Sequence, residues 1–177
     1  MRVAASIVAF LVATSTAAED ATLPTEGWKV VDGFNVVKEP TGRATVTKSD
    51  DISVGRWQVQ CPIDQMTDKR NCAIVGDVGG LSLFFGDSQE PLMMCVFGHN
   101  FPGKTALIRL DMAPPITTDK DGCVQDAESI RALSTAKVFK TRWSRFPFNA
   151  SVDTATQLIG LNVAIGIVHE FQANKLD

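Results

Sequence analysis

Four cysteines and two histidines, with no tyrosine, are a sparse reactive inventory for a 177-residue chain. Cys61, Cys72, Cys95 and Cys123 are spaced by 11, 23 and 28 residues, and the histidines are His99 and His169. A zinc site needs closely paired ligands such as C-x2-C, which this spacing lacks. A thioredoxin-like redox site needs C-x-x-C, also missing here. Cys95 and His99, as nucleophile and base, would share a strand face but stand about 13 Å apart along it. The chemistry left to an even number of cysteines is pairing, with three arrangements open. Cys61 and Cys72 flank a polar loop, residues 62–71, holding Pro62, Asp64, Asp68 and Lys69 between two apolar runs. That is hairpin-loop chemistry, so a Cys61–Cys72 bridge is expected, and Cys95–Cys123 follows by elimination.

Other motifs reduce to turns. Gly98-His-Asn-Phe-Pro-Gly103-Lys104-Thr105 matches G-x-x-x-x-G-K-[ST] letter for letter. A working phosphate loop leads from a strand into a helix, whose N-terminal N–H groups meet the phosphate. Here Thr105–Met112 alternates like a strand, and Pro102 removes one N–H. A hairpin turn is the expectation. Asp119-Lys120-Asp121-Gly122 is a fragment of a calcium loop without the remaining ligands, and Asp64, Asp68 and Asp77 do not share one tight loop. The residues therefore assign no catalytic, cofactor-binding or metal-binding role.

One stretch offers a surface instead of a reaction. Lys137, Lys140, Arg142 and Arg145, interleaved with Trp143, Phe146 and Phe148, join positive charge to aromatic area. Such a surface suits a protein partner, a polysaccharide or peripheral contact with anionic lipid. The competing reading is an edge strand whose cations snorkel and guard against aggregation.

The elements that must position these residues are mostly strands. Trp57, Val59 and Cys61 alternate with Arg56, Gln58 and Gln60, the period of a half-buried strand. Further strands are expected over 72–78, 81–85, 91–97 (central, from its continuous apolar run) and 105–112. Residues 137–143 continue the pattern, with Phe139, Thr141 and Trp143 on one face and Val138, Lys140 and Arg142 on the other. Short strands divided by turns predict a mainly β protein, an antiparallel β-sandwich or barrel-like core. Two short helices complete it: one capped by Asp126, one over 160–173, where Leu161, Ala164, Ile165, Val168 and Phe171 fit one face. Residues 149–153 read as a loop. Residues 19–53 read as an N-terminal extension, with an Asp32-Gly33 hairpin turn and Trp28 and Phe34 packing on the main β domain, 54–177.

The first eighteen residues have the layout of a secretory signal peptide: Arg2, an apolar run over 3–12, and small residues at Thr16-Ala17-Ala18. The run is too short to span a bilayer. Cleavage after Ala18 would leave 159 residues and shift the net charge from −3 to −4 by loss of Arg2. The expected location is the periplasm or the medium, where disulfides persist. The mild acidity, 17 basic against 20 acidic residues, argues against a nucleic-acid binder working through a basic surface. A hydrophobic content of 45% argues against disorder over the whole chain.

Gly55-Arg-Trp-Gln-Val-Gln-Cys61, then ten residues, then Cys72-Ala-Ile-Val75, resembles the opening of the invasion-associated locus B-like family of exported alphaproteobacterial proteins. Ile108-Arg-Leu-Asp111, Asp121-Gly-Cys-Val124 and the glycine-bearing tail at 160–168 continue the likeness, over about 53–173. The resemblance implies an exported, largely β domain, with a prototype associated with host-cell invasion and no known enzymatic reaction. Members often carry two close cysteines at the Gly-Cys element; here Cys123 stands alone, which favours its pairing with Cys95. The expected function is a non-enzymatic binding or assembly module with an envelope or host protein partner. The alternatives are an envelope hydrolase or isomerase and a structural subunit of an envelope complex.

Overall fold

The computed structural model describes residues 27–51, 54–77 and 79–173. The expected signal peptide and its cleavage site lie outside them. The described residues are mainly antiparallel β in two sheets, with two helices.

The larger sheet is a meander. β1 (Trp28–Val31), β2 (Phe34–Glu39), β3 (Arg43–Lys48), β4 (Trp57–Gln60), β5 (Cys72–Val75), β6 (Leu81–Gly86) and β7 (Met93–Val96) pair in chain order. β10 (Cys123–Val124) closes its far edge against β7. The smaller sheet runs β12 (Ser151–Gln157), β11 (Val138–Ser144), β8 (Leu107–Leu110), β9 (Ile116–Thr117). α1 (Ala127–Ala132) leads from β10 towards β11, and α2 (Leu161–Ala173) follows β12.

Local chemistry explains the joints. Asp32 and Gly33 both take positive φ, 50° and 80°, the two-residue turn that matches strand twist. The Asp126 carboxylate accepts from Ser129 N and caps α1. That hydrogen bond holds its carboxyl below the usual carboxylate range. α2 turns Leu161, Ala164, Ile167 and Val168 into the core over β3, β4 and β5.

Several expectations are revised. Residues 28–48 form three strands of the main sheet, and β3 is hydrogen-bonded to β4, so the sheet runs through the boundary drawn at residue 53. Phe34 packs against the core there, while the Trp28 side chain is outside the described structure. β7 is next to the edge, not central; its neighbours are β6 and the two-residue β10. The 149–153 loop gives way to β12 at Ser151, because that segment completes the ladder on β11. The Gly98–Thr105 segment is no hairpin turn. β7 and β8 belong to different sheets, so it crosses between them.

Gly79 pins the small sheet to the large one. Its carbonyl accepts from the Thr141 hydroxyl at 2.6 Å and the Thr154 hydroxyl at 2.5 Å, and its N–H donates to Phe97 O at 2.7 Å. Its φ is +82°, and an added Cβ would stand 2.7 Å from Thr154 Cγ2 and 2.8 Å from Trp143 Nε1. Left-handed strain and overpacking act together, so Gly79→Ala is expected to lose at least about 2 kcal/mol in urea unfolding. A loss under about 0.5 kcal/mol would mean that the junction yields without cost.

Candidate functional site

Both expected disulfides are present. Cys61 lies just beyond β4 and Cys72 opens β5, with Cα atoms 4.1 Å apart. The loop between them folds on itself: Asp64 N donates to Lys69 O at 2.8 Å and Asn71 N to Pro62 O at 3.1 Å. Antiparallel register sets Cys123 directly opposite Cys95, Cα to Cα 4.0 Å. Two such bridges suit an oxidising, exported location. Among the described residues, no helix is long and apolar enough to cross a membrane.

Asp119 to Gly122 forms a turn. Asp119 Oδ1 accepts from Asp121 N at 3.0 Å and Cys123 N at 2.7 Å, so its carboxylate organises backbone. His99 Nε2 meets Lys104 O at 3.0 Å and holds the inter-sheet loop in shape. Asp64, Asp68 and Asp77 join no metal-sized group among the described residues.

The basic-aromatic stretch divides into separate places. Lys137 precedes β11, and its N–H donates to Asp111 Oδ1 at 3.1 Å. Along β11 the expected alternation holds: Phe139, Thr141 and Trp143 are buried, Lys140 and Arg142 face out. Trp143 is therefore corrected from the partner surface to the core, at 4% exposure, because strand period turns it inward. Nor is β11 an edge strand, since β8 and β12 flank it. The edges of this sheet are β12 and β9.

Arg145, Phe146 and Phe148 lie in the loop after β11, where Phe146 is 52% and Phe148 71% exposed. The inter-sheet loop comes to meet them. Phe101 packs edge-on to Phe146 with ring centroids 5.7 Å apart, and Lys104 Nζ stands 4.4 Å from the Phe101 centroid. Lys104 also bonds the Asn149 side chain, and Phe146 N donates to Asn100 Oδ1 at 3.3 Å. Two loops far apart in sequence thus hold one partly exposed aromatic and cationic cluster.

The second place is the outer face of the small sheet. Lys140 stands opposite Arg109 on β8, and Arg142 opposite Asp153 on β12. Arg142 grips Asp153 through Nε and Nη2, both at 2.7 Å. These hydrogen bonds hold the Asp153 carboxyl below its usual range and raise the Arg142 guanidinium further. Phe101, Lys104, Arg109 and Asp153 escaped the sequence reading because only long-range pairing brings them beside the stretch. Arg109 carried a local signal, since it alternates with buried Ile108 and Leu110.

No protein-family model, curated protein or solved structure matches the chain.

Proposed function

We propose that the protein is an exported binding module of the invasion-associated locus B-like kind, acting without catalysis on an envelope or host protein partner. The half-buried Phe101 and Lys104 packed with exposed Phe146, and the exposed Arg145 and Phe148 of the same loop, carry this reading. Aromatic rings beside cations, held by side-chain bonds across two loops, resemble the anchors that dominate interface energy. The bond between Phe146 N and Asn100, and that between Lys104 and Asn149, shape the cluster before a partner arrives, which lowers the ordering cost of binding. The two disulfides support service outside a reducing compartment. The sequence likeness over about 53–173 supports the family reading.

The test captures partners from native envelope with the full chain and with Phe146→Ser/Phe148→Ser. Both positions are exposed, so the variant should keep its melting temperature. The expected result is a defined partner recovered by the natural chain, with recovery reduced about ten-fold or more in the variant. Equal recovery would remove the loop as the docking surface.

A further inference from the structure

The outer face of the small sheet carries a charge arrangement that loop docking leaves unused. Arg109 and Lys140 are direct cross-strand partners. Like charges in that position are destabilising. Nothing among the described residues neutralises the pair. Arg109 donates to Met112 O at 3.1 Å while its Nε has no partner, and the Lys140 side chain takes part in no hydrogen bond or ion pair among the described residues. Arg142, next on the same face, holds the one carboxylate present, Asp153, in a two-point grip. These residues line a depression of about 420 Å³ whose apolar wall includes Leu107, Pro115 and Ala155.

We propose that this depression binds an acidic, extended segment of a protein partner. The segment's carboxylates take the Arg109–Lys140 pair and compete with Asp153 for Arg142. Three observations select that ligand. The charge is complementary, with three cations against one carboxylate. The Asp153 grip shows that a carboxylate fits the guanidinium of this face with two good bonds. Lys140 and Arg142 are alternate residues of one strand, so they repeat at about 6.8 Å, the spacing of alternate side chains in an extended peptide. The apolar wall accepts the methylenes of glutamate. The proposal rests on the reading of the chain as a binding module, but not on the aromatic loops.

The probe is a fluorescein-labelled (Glu-Ala)4 peptide, followed by anisotropy with the full chain at 50 mM and 300 mM salt. Wild-type binding is expected, weakened by salt, with a (Gln-Ala)4 peptide silent. Lys140→Glu should weaken binding about ten-fold or more. Asp153→Ala should tighten it about three-fold, because it removes the internal competitor. Arg43→Glu, an exposed cation of the other sheet, should stay within about two-fold. A structural role for Asp153 predicts no tightening. Absence of wild-type binding, equal weakening by Arg43→Glu, or weaker binding by Asp153→Ala would overturn the proposal. So would tighter binding of polyphosphate than of the peptide, which would mark a phosphate-polymer site. Phe146→Ser/Phe148→Ser should leave the peptide affinity unchanged. Failure of loop docking and failure of this site are therefore read separately.

Discussion

Replacing Trp57 by alanine should cost about 3–5 kcal/mol, among the largest effects of any single side chain here. The indole is 1% exposed at the start of β4. Its edge approaches Gly76, where an added Cβ would stand 3.0 Å from Cζ3. Its Nε1 donates to Ile159 O at 2.8 Å, just before α2 begins. The ring therefore fills core volume and also fixes where the last helix starts. Trp57→Phe separates the two roles. It keeps an aromatic ring and loses the bond, so its cost should be nearer about 1 kcal/mol. Urea unfolding gives both values, and hydrogen exchange should show α2 amides opening earlier in Trp57→Ala. An alanine variant within about 1 kcal/mol of the natural protein would show that the core closes over the gap.

The second large effect concerns the bridges. Loop-closure entropy sets the scale, and the loops span 11 and 28 residues. The expected contributions are about 2.8 kcal/mol for Cys61–Cys72 and about 3.6 kcal/mol for Cys95–Cys123. Cys95→Ala/Cys123→Ala should therefore melt below Cys61→Ala/Cys72→Ala. The second pair also sits where β10, only two residues long, must hold an edge position beside β7. Calorimetry on the two double variants decides the order. The reverse order would place the greater burden on the β4–β5 joint, where Cys61 is fully buried.

The contrast between β4 and β11 shows what could be read from the chain. In both, two-residue alternation named the buried face correctly: Trp57 and Val59 in one, Phe139, Thr141 and Trp143 in the other. The same alternation placed Trp143 inside, against its assignment to a partner surface, and the periodic reading was the better guide. Alternation says nothing about which strand lies beside which. Hence Gly98–Thr105 passed for a turn while it crosses between sheets, and residues 28–48 passed for an extension while they pair into the main sheet. The Cys61–Cys72 bridge was legible because its loop is short. The Arg109–Lys140 pair was not, because its members come from β8 and β11, with β9, β10 and α1 between them in the chain.

The meander has a consequence for the order in which the protein takes shape. From β1 to β7 each strand pairs with the next to appear, so every step closes a short loop at small entropic cost. The small sheet breaks that rule. β8 meets β9 at once but must wait for β11 on its other flank, and Gly79, which already donates to Phe97 O, waits for the hydroxyls of Thr141 and Thr154. An N-terminal portion ending after β7 would hold one row of neighbours with a bare flank where the small sheet and α2 later settle. Completion of the chain is then what seals the interior, and a nascent or truncated form would be the vulnerable one for proteases and self-association.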